Sequence, residues 1–344
     1  MAPDLYSLSA TVQHNCHISD ALHARNYTMC TYLLKMREYY RWERRFPFNA
    51  TLPKEELGDW LSHRETLWEE LEEQEFEAIR VKKHKLDPFE TAAINQELLP
   101  HGLVYSGGYG GHAAPHFFLA DLIRAEQREG LPVLIAGREH ARDMAAPPAM
   151  LLDGTLFIRR ESMRRMLWEK IEEWRWKQKQ DAMARAMACY GFEDDFERAL
   201  EQMTDNEVES ALLHEIGEWR AEQRLGADWG NLLLALAGTR GELVARAVRD
   251  HLADCVSTLP ALLEQGHEAS LHFYFANLGG MRRELFPELN DAYRQWNEGG
   301  RMQALSATVS KGAERWQETS LRLLEIHRDR PETCAEEIGR MYEK

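Results

Sequence analysis

The sequence predicts a mainly α-helical protein, with an N-terminal α+β domain over residues 1–160 and a C-terminal helical bundle over residues 161–344. Three observations lead to this prediction. Apolar residues recur at three- and four-residue spacing along most of the chain. Between residues 100 and 160, glycines, aromatic residues and short β-branched runs interrupt that spacing. A chain of 344 residues is also longer than one hydrophobic core usually accommodates, which favours two domains.

Two long helices and a short one are predicted ahead of the β element. The first covers residues 19–46, with Ser19 or Asp20 as its N-cap, and it ends at the proline-containing segment FPFNATLP. The second covers residues 54–84, where apolar residues keep helical spacing within a strongly charged segment. The third is short and begins at Asp87.

A small β element of three or four strands is predicted next. The run LPVLIAGRE is short, apolar and β-branched, which is typical of a strand. The run PAMLLDGTLFIRR is divided by Asp153 and Gly154, and an Asp-Gly pair between apolar runs indicates a tight hairpin.

The remainder of the chain is predicted to be helical. Threonine and aspartate at 204–205 indicate a helix start, and glycines mark several helix ends. The predicted helices cover residues 161–190, 194–202, 205–226, 228–237, 240–264, 267–285, 287–297, 300–327 and 331–343. No fixed-period repeat occurs, so a bundle is favoured over a solenoid.

Charge and composition narrow the classes of function. The formal net charge of −15 repels phosphate backbones, which argues against nucleic-acid binding. No apolar run is long enough to cross a bilayer, and the first residues lack the pattern of a signal peptide. We therefore expect a cytoplasmic protein with a small-molecule ligand and no membrane partner. A homo-oligomer is compatible with the sequence.

The cysteines argue against a disulfide framework and against a zinc ribbon. Their number is odd, they are scattered, and no Cys-x-x-Cys occurs. They are Cys16, Cys30, Cys189, Cys255 and Cys334.

The first candidate site lies on three helices of the predicted bundle. His214 and Glu218 are four residues apart and share a helix face, His251 and Asp254 are three apart on another helix, and His272 lies on a third. Buried imidazoles and carboxylates need partners. If these side chains converge, their nitrogen and oxygen atoms suit a divalent metal, iron or manganese more than zinc.

Two other interpretations of this site stay open. His214 and Glu218 also fit a simple hydrogen-bonded pair, with His251 and His272 as satisfied core histidines. A metal-free acid–base site is the third interpretation. The Glu-x-x-His motif of di-iron bundles and the His-Glu-x-x-His motif of zincins are both absent from these helices.

The second candidate site lies in QHNCHISDALH, residues 13–23, where Cys16 is flanked by His14 and His17. A thiol near a helix N-terminus has a lowered pKa, so Cys16 is a candidate nucleophile or metal ligand with His17 beside it. The glycine-rich segment YSGGYGGHAAPHF carries His112 and His116 and would hold a small ligand or cofactor. The structural interpretation is a capped helix, a buried thiol and a hairpin bend.

These sites support three hypotheses of function. The first is a metal-binding helical protein that acts as an iron- or manganese-dependent oxidoreductase on a small molecule, with Arg282 or Cys16 contacting the substrate. The second is a metal-free hydrolase or transferase that uses Cys16 and a histidine. The third is a non-catalytic helical binding or assembly protein. The sequence alone does not decide whether the chain is an enzyme.

Three segments resemble an uncharacterised two-domain bacterial family. They are HNCHISDALHARNYTMCTYLLKMREYYRWE near the start, SGGYGGHAAPHFFLADL in the middle and DHLADCVSTLPALL late in the chain. The resemblance covers most of the chain and implies a division near residue 160. It implies no activity, cofactor or catalytic residue, because the domains of that family have no assigned function.

Overall fold

A computed structural model of the chain describes residues 3–110, 114–177 and 179–342. The chain divides into two units, Met1–Glu169 and Lys170–Lys344. It is mainly helical, with a small curled sheet in the first unit and a helical second unit, which confirms the predicted fold class. None of the helices in the described residues is both long and apolar enough to cross a membrane.

The helices of the first unit surround its sheet. They are α1 (Leu5–His23), α2 (Met29–Glu43), α3 (Lys54–Leu71), α4 (Thr91–Leu98) and α5 (Arg160–Lys177), and the division between the units falls within α5. The strands are β1 (Ile79–Val81), β2 (His84–Leu86), β3 (Leu103–Tyr109), β4 (Pro115–Arg128), β5 (Leu131–Arg142), β6 (Ala149–Leu152) and β7 (Thr155–Arg159).

The main sheet has the strand order β3-β4-β5-β7-β6. Neighbouring strands are antiparallel except β5 and β7, which are parallel, and β1 pairs with β2 apart from this sheet. The register of β4 against β5 shifts three times between Leu119 and Arg124. Such bulges bend a strand and increase its twist, which curls the sheet.

The predicted Asp-Gly hairpin is confirmed between β6 and β7. Asp153 and Gly154 both have positive φ, 46° and 72°, as a type I′ turn requires. Glu129 and Gly130 form the same kind of turn between β4 and β5, with φ values of 54° and 85°. Local turn chemistry therefore sets both tight hairpins.

The predicted first helix, residues 19–46, was wrong in its bounds. Asp4 is the N-cap of α1, where its side chain accepts from the N–H groups of Tyr6 and Ser7. The stretch QHNCHISDALH therefore lies within α1, and a second helix begins only after Thr28, which caps α2. The prediction failed because Ser19 and Asp20 are buried polar groups rather than caps.

The predicted second helix, residues 54–84, was too long, because α3 ends at Leu71 and β1 and β2 follow. The β element is also larger than the predicted three or four strands, with five in the main sheet and two in the small one among the described residues. The small hairpin was missed because its strands have only three residues each.

The regular elements described in the second unit are α-helices and one π-helical turn. Its helices are α6 (Ala182–Ala188), α7 (Phe196–Leu225), α8 (Ala227–Ala235), α9 (Arg240–Ala253), α10 (Leu259–Gln265), α11 (Glu268–Asn277), α12 (Gly280–Leu285), α13 (Pro287–Asn297), α14 (Met302–Asp329) and α15 (Cys334–Arg340). The π-helical turn, Asp254–Thr258, joins α9 to α10.

Several predicted helix ends differ from the structure. The predicted break at Thr204 does not exist, because the Thr204 hydroxyl donates to the Leu200 carbonyl at 2.6 Å inside the single helix α7. Conversely, the helix predicted over residues 161–190 is divided into α5 and α6, and the one over 267–285 is divided into α11 and α12. The helix predicted over 287–297 is confirmed as α13.

Close helix packing in the second unit depends on small residues. A Cβ atom on Gly217 of α7 would lie 2.5 Å from the Ala253 carbonyl oxygen of α9. Nearby, the Ser257 hydroxyl donates to the Leu213 carbonyl at 2.7 Å. Helices α7 and α9 therefore approach backbone to backbone, and this approach places His214 and Asp254 together.

Candidate functional site

The stretch QHNCHISDALH lies across the sheet and binds the backbone of strand ends. The Gln13 side chain accepts from the Arg142 N–H at 3.2 Å and donates to the Arg142 carbonyl at 3.0 Å. The Ser19 hydroxyl donates to the Pro115 carbonyl. Buried backbone groups need such partners, and an apolar helix would not supply them. The polar composition of this stretch therefore has a structural cause.

Cys16 is buried in α1, and its thiol donates to the Phe117 carbonyl at 3.2 Å. Burial raises its pKa well above the usual range, and the negative charges of Asp143 and Asp20 raise it further. The reactive species of a cysteine is the thiolate. The geometry therefore favours a hydrogen-bonded thiol at this position over the predicted nucleophile.

His17 faces α3 rather than Cys16. The Trp68 indole N–H donates to His17 Nδ1 at 3.4 Å, and Arg64 Nη1 lies 3.2 Å from the same nitrogen. Burial and the adjacent Arg64 guanidinium lower the pKa of His17 to about 3. The imidazole is therefore neutral and has a partner, which favours a packing role over that of a general base.

Two histidines of the glycine-rich segment were predicted to bind a ligand, and the structure describes one of them. His112 lies outside the described residues. His116 is buried on β4, with Nε2 3.2 Å from the Ser106 hydroxyl and with no described partner for Nδ1. Burial lowers its pKa, and the largest charge acting against that effect is Asp143. His116 therefore faces the neighbourhood of Asp143.

Two buried carboxyl groups, Asp20 and Asp143, lie next to each other in the first unit. Asp20 accepts from the Met144 N–H at 2.9 and 3.1 Å. Asp143 accepts from the N–H groups of Phe117, at 3.3 Å, and Ala146, at 2.5 Å. Burial raises the pKa of Asp20 well above its usual range, and the charge of Asp143 raises it further. The Asp20 carboxyl group therefore keeps its proton to a higher pH than an ordinary aspartate does.

Asp143 acts on groups from several elements. Burial raises the pKa of the Tyr27 phenol, and Asp143 and Asp20 add to the effect. Burial lowers the pKa of Lys35 on α2, with Arg165 contributing, while Asp143 opposes the change. The Lys35 ammonium lies 5.2 Å from the centre of the Tyr27 ring. Tyr27 and Lys35 thus complete a polar cluster around the two aspartates.

Three buried arginines lie beside the aspartates, on β5, β7 and α5. They are Arg142, Arg159 and Arg165. Arg159 Nε donates to Glu139 at 2.8 Å, and Arg165 Nη2 donates to the Ala146 carbonyl at 2.9 Å. Several of their other nitrogens have no hydrogen-bond partner among the described residues. We call Asp20, Asp143, Arg142, Arg159 and Arg165 the carboxyl–arginine cluster.

A cavity of about 400 Å³ lies at the C-terminal end of α1, and no residue of the carboxyl–arginine cluster is part of its lining. Its wall includes Ala21 and Ala24, which follow Asp20 in the chain, and the side chains of Tyr27, Tyr32 and Trp68. Tyr27 connects the two features, because it lines the cavity and is within the electrostatic reach of Asp143. The volume falls within the range of small-molecule sites.

The second unit brings together three of the five predicted metal ligands. His214 Nδ1 lies 2.8 Å from Asp254, and its Nε2 lies 3.4 Å from Glu218. Asp254 also accepts from the Tyr274 hydroxyl at 2.8 Å and from Arg282. Burial alone would lower the pKa of His214, but Asp254 and Glu218 outweigh it and raise that pKa well above the usual range. His214 is therefore an imidazolium between two carboxylates.

The other two predicted ligands lie elsewhere. His251 Nε2 donates to the Arg282 carbonyl at 2.7 Å, and its ring stacks on Trp316 at 4.8 Å. Burial lowers the pKa of His251 to about 4. His272 Nδ1 lies 2.9 Å from the Tyr293 hydroxyl. These two histidines have the surroundings of satisfied core residues.

No group of three or more His, Cys, Asp or Glu side chains in the described part of the chain is arranged to hold a metal ion. At His214 the reason is geometric. Asp254 and Glu218 bind opposite nitrogens of one ring, so no single point contacts all three side chains. The predicted iron or manganese centre stays a prediction.

Sequence reasoning named Asp20 only as a helix cap and missed Asp143 and the three arginines. The available signal was charge directly after an apolar strand, in LPVLIAGREHARD and in TLFIRR. An ionised side chain on a strand with both faces buried needs a specific environment. That signal marks single residues, but it does not show which of them meet.

Fold and site together define a mainly helical protein of two units, the first of which holds a buried carboxyl–arginine cluster and a cavity of about 400 Å³. The chain belongs to the family of unknown function DUF6866. The model of that family's N-terminal domain matches residues 7–159, and the model of its C-terminal domain matches residues 164–344. The resemblance to an uncharacterised two-domain family is thereby confirmed. No curated protein and no solved structure matches the chain.

Proposed function

We propose that the first unit is a small-molecule enzyme site in which Asp20 and Asp143 perform acid–base chemistry without a metal. The observation that carries the proposal is the placement of these two buried carboxyl groups beside each other, bound only to backbone N–H groups among the described residues. No arginine or lysine forms a direct ion pair with either one in that part of the chain. Each of the four carboxyl oxygens accepts a backbone N–H group and keeps a second lone pair for a proton.

The chemistry assigns different roles to the two groups. Asp20, whose pKa is raised by burial, donates its proton to a substrate oxygen, while Asp143 accepts a proton from substrate or from an attacking water. Paired carboxyl groups perform these acid and base roles in other sites. One proton leaves Asp20 for each proton that Asp143 accepts, so the step consumes no oxidant.

The surroundings suit a small substrate. The cavity of about 400 Å³ has aromatic walls at Tyr27, Tyr32 and Trp68 and a volume typical of small-molecule sites. Its wall also carries four charged side chains, those of Arg25, Glu65, Glu69 and Glu72. Tyr27 is under the electrostatic influence of both carboxyl groups and Lys35 under that of Asp143, and both side chains would orient a bound molecule. The proposed chemistry needs no cysteine nucleophile, and the Cys16 thiol donates to a backbone carbonyl.

The proposal is tested with a defined mixture of small metabolites and purified full-length protein. Compounds that stay bound through rapid gel filtration are identified by mass spectrometry and then followed for conversion. We expect the Asp143→Asn variant to retain the bound compound and to convert it about 10²- to 10⁴-fold more slowly, the usual contribution of acid–base catalysis. Asparagine keeps an oxygen acceptor for one of the two backbone N–H groups, and circular dichroism checks that the variant is folded.

The matched control is Asp59→Asn, which changes an exposed carboxyl group of α3. It should convert the compound at the wild-type rate. Equal conversion by wild type and Asp143→Asn would contradict the proposal, as would the retention of no compound from any mixture.

A further inference from the structure

The nitrogens without partners in the carboxyl–arginine cluster belong to the most deeply buried cations of the first unit. Arg142 is 1% exposed and Arg159 is fully buried. Arg142 Nε and Nη2, Arg159 Nη1 and Nη2, and Arg165 Nε have no hydrogen-bond partner among the described residues. A buried charged donor without an acceptor destabilises the folded state, because it loses its hydrogen bonds to water and gains none in return. Five such atoms on three neighbouring side chains therefore need an explanation.

Aromatic contacts account for only part of this arrangement. The Arg142 guanidinium lies 5.3 Å from the centre of the Tyr39 ring and 5.2 Å from that of Trp42, and Arg159 lies 4.4 Å from the centre of Phe118. Rings interact with the face of a guanidinium group. The N–H donors point outward in its plane and still require acceptors.

The nearby carboxyl groups also do not satisfy the remaining guanidinium donors. Glu139 binds Arg159 Nε and the Ser162 hydroxyl through one oxygen, and Asp143 is bound by backbone N–H groups. Burial lowers the pKa of Arg165 to about 10, and the largest charge contribution to that change comes from Arg142. Arg165 in turn contributes to the lowered pKa of Lys35. Positive charges thus repel one another within the cluster.

We infer that Arg142, Arg159 and Arg165 form a binding site for the anionic group of a small molecule, a phosphate or a carboxylate. The planar fork of guanidinium donors matches both groups and binds them through paired hydrogen bonds. Lys35 adds a fourth positive charge at the side of α2. The inference rests on the proposed function, because it places the anionic end of the substrate beside Asp20 and Asp143.

The test measures anion binding to the full-length protein directly. Isothermal titration and thermal unfolding are recorded with inorganic phosphate and with succinate, against sodium chloride at the same ionic strength. We expect one or both anions to bind and to raise the unfolding temperature, and Arg142→Gln to weaken that binding at least tenfold. Arg124→Gln, on the exposed part of β4, is the matched control and should bind as wild type does.

A second variant keeps the test valid if Arg142→Gln does not fold. Arg165→Gln removes one donor group from the other side of the cluster, and circular dichroism confirms that each variant is folded. Binding of phosphate alone would assign a phosphoryl ligand, and binding of succinate alone would assign a carboxylate. If neither anion binds better than chloride, or if both folded variants bind like wild type, the inference is overturned.

The experiments distinguish a failure of this inference from a failure of the proposed acid–base function. A neutral compound that is converted by wild type and not by Asp143→Asn would support the acid–base site while the absence of anion binding overturned this inference. Anion binding that depends on Arg142, together with unchanged conversion in Asp143→Asn, would support this inference and overturn the acid–base site.

Discussion

The carboxyl group of Asp20 accepts the backbone N–H of Met144 through both oxygens, at 2.9 and 3.1 Å. This bond fixes the segment after β5 against α1, although the two residues are 124 positions apart in the chain. Because Met144 directly follows Asp143, the same bond holds the second carboxyl group beside the first. The acid–base pair is thus a product of tertiary structure, and the α1 stretch that contains Asp20 serves both the fold and the proposed chemistry.

Thiol reactivity distinguishes this account from a cysteine enzyme. Cys30 and Cys189 are exposed, whereas Cys16 is buried and its pKa is raised by burial. We expect iodoacetamide at neutral pH to label Cys30 and Cys189 in the native protein and Cys16 only after unfolding. Peptide mass spectrometry measures the three rates. Labelling of native Cys16 as fast as that of Cys30 would restore the nucleophile hypothesis.

The ion network of the second unit should contribute strongly to stability. Replacing Asp254 with asparagine leaves His214 and Arg282 without their shared buried carboxylate, and breaking a buried pair costs about 3–5 kcal/mol. We expect Asp254→Asn to lower the free energy of unfolding by about 3 kcal/mol in urea titrations.

Asp291→Asn is the control for that measurement. It breaks an exposed pair with Arg294 and should cost less than about 0.5 kcal/mol. A similar small loss in both variants would show that the His214–Asp254–Arg282 contacts add little to the stability of the fold.

The buried carboxyl group of Glu207 should make the free energy of unfolding depend on pH. This carboxyl group is buried on α7 and accepts from the Ser270 hydroxyl at 2.7 Å. Burial raises its pKa from 4.5 to about 7, with the Ser270 hydrogen bond opposing the rise. Because the folded-state pKa is the higher one, its stabilising effect is complete below pH 4.5 and is lost as the pH rises through 7.

The Glu207→Gln variant tests this sign. Glutamine keeps an oxygen acceptor for Ser270 and cannot ionise. We expect its free energy of unfolding, relative to wild type, to increase by up to about 3 kcal/mol between pH 5 and pH 8. Urea unfolding at the two pH values measures the difference. A relative stability that is constant, or that falls with rising pH, would contradict the raised pKa.

The parts of the fold that could be predicted from sequence depend on local interactions. The turn at Asp153 and Gly154 was predicted correctly because both residues tolerate positive φ. Helix α13 was predicted correctly because Pro287 suits the first turn of a helix. Thr204 shows the limit of this reasoning, since a helix interior also accommodates a threonine whose hydroxyl donates four residues back.

The candidate site could not be predicted, because its members meet only in the folded chain. Asp20 has the residue type and setting of a helix cap, and nothing local connects it to Asp143 or Arg142. Five residues of the second unit were predicted to share one centre. Of these, His214, Glu218 and Asp254 lie near one another in the structure, whereas His251 and His272 have other partners. Periodicity assigns a residue to the buried face of a helix, but it does not determine the direction of its polar atoms.

The measurement that tests the central claim most directly is the titration of Asp20 itself. Carbon-13 NMR of aspartate side chains, assigned with Asp20→Asn and Asp143→Asn, follows each carboxyl group across the pH range, with exposed Asp59 as internal reference. The account predicts that Asp20 titrates well above the usual range for aspartate, and that Asp143→Asn lowers its pKa because the neighbouring charge is removed. An Asp20 whose pKa lies in the usual range for aspartate, or is unaffected by Asp143→Asn, would contradict the paired carboxyl groups on which the proposed function depends.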